Sequence, residues 1–196
     1  MKHKLRFSTL QPLFLLGIIL LMTLFQAILL PGTVTASQLL LVSRQASALG
    51  IIALGQAAVI LCGGTDLSVG STVMIVNIFC ITLMRGQDAY VGAGLAACFL
   101  IGLAIGAVNA LGVIVLHIAP FVMTLCTMTI LEGICYVYTQ GAPTGSAAPV
   151  IKALGTGHLG DVPYSTVIWL TLALMTGETQ QALTWLSTEL SVSEAE

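Results

Sequence analysis

The chain has 196 residues, of which 57% are hydrophobic and 7% charged, and its mean hydropathy is +1.04. Soluble domains carry about 25% charged residues, so this chain cannot cover a water-facing surface and is expected to be an integral membrane protein. The net charge of −2 comes without a basic patch, which argues against a nucleic-acid partner.

Six apolar runs predict six transmembrane helices, since a span needs about 20 apolar residues. They cover approximately residues 10–30, 45–62, 67–84, 90–116, 121–138 and 164–175. The predicted fold class is therefore an all-α, polytopic transmembrane helical bundle. Lys2, Lys4 and Arg6 precede the first run and place the N-terminus in the cytoplasm by the positive-inside rule. A signal peptide is the alternative interpretation of this basic start.

Two polar segments interrupt or follow these runs. Residues 139–163 form the longest predicted loop, on the outer side if every run spans once. Residues 177–196 are polar and acidic and lack the basic residues expected after a sixth span. We expect a membrane domain over 1–176 and a separate tail over 177–196.

The segment GGTDLSVG, residues 63–70, lies between the second and third runs. The carboxylate of Asp66 costs about 3 kcal/mol near hydrocarbon, so such a residue usually faces protein or a water-filled cavity. Gly63, Gly64 and Gly70 let the backbone leave helical geometry. The pattern predicts a broken helix near Asp66, with a polar turn at the membrane surface as the alternative.

The fourth and fifth runs contain further polar side chains. Thr124, Thr127, Met128 and Glu132 lie three or four residues apart in turn, which predicts one polar face of the fifth helix. That face is a candidate pathway, unless Glu132 lies at a polar interface. Asn109 is a buried amide in the fourth run, suited to interhelical hydrogen bonding.

The sequence lacks the motifs of several kinds of enzyme and binding site. The sequence contains no G-x-x-x-x-G-K-[ST] phosphate loop, no H-E-x-x-H and no G-x-S-x-G. The five cysteines form no CxxC or Cys/His cluster, so they are interpreted as apolar helix residues. We predict a protein that is not an enzyme and that holds no cofactor or metal.

Two stretches resemble the sugar-type ABC importer permeases, the membrane subunits for ribose, galactose, xylose and related solutes. The first stretch is ALGQ at 53–56 followed by GGTDLSVGS at 63–71, and the second is VNA at 108–110 followed by APFVMTL at 119–125. The resemblance covers about residues 39–174. Thr65 replaces the usual isoleucine, Ala110 replaces a glycine, and Glu132 stands where arginine is common.

The resemblance implies a multi-pass protein of the bacterial inner membrane. It implies a second permease subunit, identical or different, two cytoplasmic ATPase subunits that hydrolyse ATP, and an extracytoplasmic solute-binding protein. Asp66 is then expected to be a structural and gating anchor, with Ser68 and Ser71 as local caps. The predicted motif residues are Gly63, Gly64, Asp66, Ser68, Gly70 and Ser71, and the candidate pathway residues are Asn109, Phe121, Thr124 and Glu132.

Members of this family are much longer, so we expect a truncated or frame-shifted N-terminal portion of a permease. Two alternatives remain open: an ion-coupled secondary transporter or channel that uses Asp66 and Glu132, and a permease remnant that assembles without transporting. Uptake measured with ionophores separates the first alternative from an ATP-driven importer.

Overall fold

The computed structural model describes residues 2–142 and 144–177, with side chains described from residue 13 onward. The predicted tail therefore lies outside the described residues, apart from Gly177. The elements in chain order are α1 (Lys2–Leu29), α2 (Ala36–Leu61), α3 (Val69–Met84), a 3₁₀ turn (Asp88–Tyr90), α4 (Val91–Ile114), α5 (Pro120–Thr139), α6 (Pro149–Thr156), β1 (His158–Leu159), β2 (Val162–Pro163) and α7 (Tyr164–Gly177). The chain divides into two compact units, Met1–Gln45 and Ala46–Glu196.

The all-α membrane class is confirmed. Three helices are long and apolar enough to cross a membrane, namely Ala36–Leu61, α4 with its preceding turn (Asp88–Ile114), and Pro120–Thr139. Three shorter apolar helices accompany them within the described residues: Leu13–Leu29, Val69–Met84 and Tyr164–Gly177. The 16 residues of α3 rise about 24 Å, less than a hydrocarbon core of about 30 Å.

The first unit contains α1 and the start of α2. The described side chains of α1 are largely exposed, as expected for a helix that faces lipid. The hydroxyl of Thr35 accepts a hydrogen bond from the backbone N–H of Gln38 at 3.2 Å, which is N-capping geometry. Because of this cap, α2 begins at Ala36, well before the predicted start at 45.

The core of the second unit lies between α3, α4 and α5. Its buried centre consists of Ile75, Ile78, Leu131 and Cys135, and Ile101 of α4 packs against it. This packing is apolar, and it holds α3, α4 and α5 together. The segments that connect these helices are attached to this core.

The predicted loop 139–163 contains more structure than expected. Pro149 occupies the first turn of α6, where its missing N–H costs nothing, and β1 pairs with β2 as a short antiparallel hairpin. Asp88 Oδ1 accepts a hydrogen bond from Val150 N–H at 3.0 Å. Gly86 N–H donates to Ser146 O at 2.8 Å, so this segment is fastened to the turn between α3 and α4.

A close approach between α2 and α7 gives a testable prediction. A Cβ atom at Gly50 would overlap the indole of Trp169, whereas one at Gly55 would meet nothing within 4 Å. We expect Gly50→Ala to lower the free energy of unfolding by about 2 kcal/mol through overpacking. Gly55→Ala, the matched control on the same helix, should leave it unchanged or raise it slightly.

Thermal unfolding in detergent micelles measures this difference. Unfolding is monitored by the reaction of a maleimide with Cys135, which is buried in the folded chain. Replacing Trp169 with leucine should restore stability to the Gly50→Ala chain. Equal melting temperatures for the two glycine variants would contradict the close approach.

Candidate functional site

The helix break lies where the sequence predicted it, over residues 62–68 between α2 and α3. Gly63 has φ +76°, the left-handed conformation that favours glycine at a helix end. Gly64 N–H donates to Val59 O at 3.0 Å and Gly63 N–H donates to Ile60 O at 2.9 Å. This bond pair is a Schellman motif, so α2 ends with two of its last carbonyl groups satisfied.

We expect Gly63→Ala to cost about 1 kcal/mol, because the left-handed conformation strains a residue that has a Cβ atom. Gly70→Ala is the matched control. Gly70 lies inside α3 without a positive φ, and an added Cβ would meet nothing within 4 Å. Melting temperatures in micelles test the pair, and an equal loss at both positions would refute the strain argument. The prediction that Gly70 frees the backbone is wrong, since that residue is helical.

Asp66 fixes the broken backbone through one carboxylate oxygen. Asp66 Oδ1 accepts hydrogen bonds from Ser68 N–H at 2.7 Å and from Ser68 Oγ at 2.6 Å. Bonds from neutral donors to a carboxylate are charge-assisted and stronger than neutral pairs. On the other side, Gln56 Nε2 donates to the Asp66 backbone carbonyl at 3.1 Å, so the break is attached to the last turns of α2.

Ser68 and Ser71 do not act as the predicted side-chain caps. Ser68 occupies the N-cap position of α3 without a side-chain capping bond, because its hydroxyl donates to Asp66 instead. Ser71 Oγ donates back to Ser68 O at 2.9 Å. Both serines are buried, 1% and 3% exposed, so their hydroxyl groups are satisfied inside the protein.

A relay of side chains joins this break to α4 and α5. Thr127 Oγ1 donates to Asn109 Oδ1 at 2.6 Å, and Asn109 Nδ2 donates to Ser68 Oγ at 3.0 Å. Ser68 then donates to Asp66, which completes the order Thr127, Asn109, Ser68, Asp66. We call these four side chains the relay. The three hydrogen bonds of the relay all run in the same direction, because each donor lies further from the Asp66 carboxylate than its acceptor does.

Thr124 makes a second connection from α5. Its hydroxyl accepts a hydrogen bond from Leu67 N–H at 3.1 Å and lies 2.8 Å from Pro120 O, closer than the other carbonyls in reach. Thr124 is only 4% exposed. The break is therefore held by α2, α4 and α5 together.

Two of the predicted pathway residues are not among the buried side chains that hold the break. Phe121 is 54% exposed, and Glu132 is exposed on α5. The buried face of α5 carries Thr124, Thr127, Leu131 and Cys135. The prediction that Glu132 shares the face of Thr124 is wrong, because two steps of four residues rotate by about 80° around a helix with 3.6 residues per turn.

A cavity of about 610 Å³ opens beside the break. Thr65, Asp66, Asn109 and Thr124 are its polar lining residues. The rest of the wall is apolar or glycine: Ala58, Val59, Cys62, Gly63, Gly64, Gly106, Ala110, Val113, Ile114 and Pro120. A mainly apolar wall with a few polar groups is typical of sites for small molecules.

Sequence reasoning left Gln56 out of the predicted site, whereas it placed Thr127 on the candidate polar face of the fifth helix without naming it among the pathway residues. Thr127 lies one turn from Thr124, and the spacing on α5 was a usable signal. Gln56 bonds to a residue ten positions later, across a helix end whose geometry the sequence does not specify.

Comparison with known proteins places this chain in a family. The family described as "Branched-chain amino acid transport system / permease component" matches residues 38–179. The ribose import permease protein RbsC of Haemophilus influenzae is 33% identical over 144 residues, 71% of this chain and 44% of that protein. The fructose import permease protein FruF of Bifidobacterium longum is 32% identical over 132 residues, covering 65% of this chain and 36% of that protein.

The galactose/methyl galactoside import permease protein MglC of Treponema pallidum is 32% identical over 143 residues, 63% of this chain and 27% of that protein. The aligned part thus spans less than half the length of these curated relatives, and no solved structure matches the chain. The predicted resemblance to sugar import permeases is confirmed. Because the family match covers most of the sequence, this multi-pass membrane chain belongs to the permease component family of branched-chain amino acid transport systems.

Proposed function

We infer that the chain forms the N-terminal part of the gated solute pathway of an ATP-binding-cassette importer for a sugar or related small solute. The relay is the observation that supports this function best, because it ties a break in the helices to two neighbouring helices beside a cavity. The relatives named as ribose, fructose and galactose permeases favour sugars as the solute class.

The relay lies at one end of the bundle of α3, α4 and α5. Ser68 precedes α3, Asn109 lies about 8 Å from the end of α4, and Thr127 about 10 Å from the start of α5, at 1.5 Å per residue. With Lys2, Lys4 and Arg6 in the cytoplasm, α2 runs inward and this end faces the cytoplasm. A displacement of this end of the bundle would move α3, α4 and α5 together.

Asp66 is the anchor in this proposal, and Asn109 and Thr124 border the path. The carboxylate holds the backbone through Ser68, so its role is to fix the geometry of the break. In this proposal the sugar contacts the wall of the cavity, and Asp66 is not its main binding group. The membrane domain extends over 1–176, and 177–196 is a separate acidic tail.

The remaining components are separate proteins. ATP binding and hydrolysis occur on two cytoplasmic ATPase subunits, and the chain itself performs no covalent chemistry. A second permease subunit completes the pathway, and an extracytoplasmic solute-binding protein delivers the sugar. The complex resides in the bacterial inner membrane.

Expression in bacterial cells that lack their ribose permease, but keep its ATPase and binding protein, tests the function. We expect the chain, coexpressed with the C-terminal part of that ribose permease, to copurify with the ATPase and to support uptake of labelled ribose that stops when ATP is depleted. Gly70→Ala should retain both properties, since that position is open.

Two outcomes would overturn the proposal. Uptake that collapses with the proton gradient while ATP stays high would favour an ion-coupled transporter. Failure of the well-folded chain both to copurify with the ATPase and to support uptake would favour a remnant without transport function.

A further inference from the structure

The short helix α6 is attached at both ends to the starts of two apolar helices. Val150 N–H donates to Asp88 Oδ1 at 3.0 Å, and Asp88 begins the 3₁₀ turn that leads into α4. Beyond the other end of α6, Gly157 O accepts a hydrogen bond from Tyr164 N–H at 3.0 Å, and Tyr164 is the first residue of α7. Since apolar helices of a membrane protein begin near the boundary between water and hydrocarbon, α6 is held at that boundary.

This helix has an apolar face and a polar face. Val150 and Leu154 lie four residues apart and therefore on one face, and they are 49% and 50% exposed. Lys152 lies about 200° around the helix from Val150, at 100° per residue. Lys152 Nζ donates to Ser146 Oγ at 2.7 Å, and Ser146 O accepts from Gly86 N–H at 2.8 Å. The polar face is therefore attached to the turn between α3 and α4, and the apolar face lies on the opposite side of the helix from this contact.

Exposed apolar side chains continue into the hairpin that follows α6. Leu159 and Val162 are register partners in β1 and β2, and both are exposed. None of these exposed side chains of α6 and the hairpin is charged or aromatic, whereas protein interfaces are enriched in aromatic residues and arginine. An apolar face opposite a basic residue is typical of helices that lie in the membrane interface. The composition therefore favours lipid over a soluble protein as the partner of this surface.

We propose that α6 lies in the interface of the phospholipid bilayer, with Val150 and Leu154 inserted at the boundary between headgroups and acyl chains. Lys152 stays on the side of the helix that faces away from the acyl chains. Because α6 is hydrogen-bonded to Asp88 and Gly157 to Tyr164, the inserted helix would connect the start of α4 and the start of α7 to the lipid surface. This inference goes beyond the proposed transport function and does not depend on it.

Spin labelling of the full chain tests this position. The five native cysteines are changed to alanine, and the chain is reconstituted in nanodiscs of phosphatidylethanolamine and phosphatidylglycerol. Separate samples carry a nitroxide at Val150→Cys, Leu154→Cys, Lys152→Cys or Thr156→Cys. The measurements are the collision rates of each nitroxide with oxygen, which concentrates in the bilayer, and with a nickel chelate, which stays in water.

We expect collisions with oxygen to exceed those with the nickel chelate several-fold at positions 150 and 154, at a depth of about 5–10 Å. Positions 152 and 156 should show the reverse. Phe99→Cys replaces a 71% exposed side chain of α4 and is the lipid-facing reference. Asp161→Cys lies in the exposed turn between β1 and β2 and is the aqueous reference. Circular dichroism confirms that each labelled chain is folded.

Three results would overturn the proposal. Nickel collision rates at 150 and 154 as high as at Asp161→Cys would show that this face lies in water. Low rates with both reagents at 150 and 154 would show that protein covers the face. Water-accessible labels that become protected when a purified ribose-binding protein is added would assign the face to a soluble partner.

Discussion

Asp66→Ala is expected to lower the free energy of unfolding by about 3 kcal/mol and to abolish uptake. The change removes two bonds to one carboxylate oxygen, 2.6 and 2.7 Å long, and a hydrogen bond to a charged group contributes about 1.5–3 kcal/mol. It also leaves the amide and hydroxyl of Ser68, a residue that is 1% exposed, without their acceptor. For a chain of this size, such a loss lowers the melting temperature by about 8 °C.

Two variants make the Asp66 result interpretable. Asp66→Asn keeps an oxygen acceptor in place of Oδ1 and should lose only about 1 kcal/mol, because neutral hydrogen bonds contribute less than charged ones. Asp161→Ala, at an exposed position in the turn between β1 and β2, should leave stability unchanged. A melting temperature for Asp66→Ala equal to that of Asp161→Ala would show that the carboxylate does not hold the break.

Asn109→Leu should be the second most damaging substitution, with a loss of about 2 kcal/mol. Leucine matches asparagine in shape but breaks the bonds to Thr127 and to Ser68. Burying an unpaired hydroxyl costs about 1–3 kcal/mol. Asn77→Leu is the matched control, since Asn77 is exposed on α3 and its replacement should cost nothing.

A double-mutant cycle separates the relay from simple packing. Thr127→Val removes the other partner of the Asn109 bond, so the two losses should be less than additive, with a coupling energy of about 1 kcal/mol. Melting temperatures in micelles measure all four chains of the cycle. Strict additivity would mean that the two side chains contribute independently.

Hydropathy and glycine clustering predicted the long apolar helices and the position of the break. The runs end where charged or glycine-rich segments begin, and Gly63 with Gly64 marks the end of α2 within one or two residues. The early start of α2 was also within reach, since threonine at 35 followed by glutamine at 38 is a capping sequence. Length and composition could not reveal α6, an eight-residue helix inside a segment rich in turn-forming residues.

The contacts of the site were harder to predict because they join distant parts of the chain. Asn109 and Ser68 are 41 residues apart, and a single sequence does not show which amide meets which hydroxyl. Thr124 lies on the buried face of α5, whereas Glu132 is exposed, since residues in steps of four drift away from a fixed face. The polar type of a residue was predictable, whereas its partner depended on how α3, α4 and α5 pack.

Both bonds from Ser68 end on the same oxygen of Asp66, Oδ1. Both donors belong to Ser68, the residue that directly precedes α3. Any displacement of this one oxygen atom would therefore move the start of α3 with it.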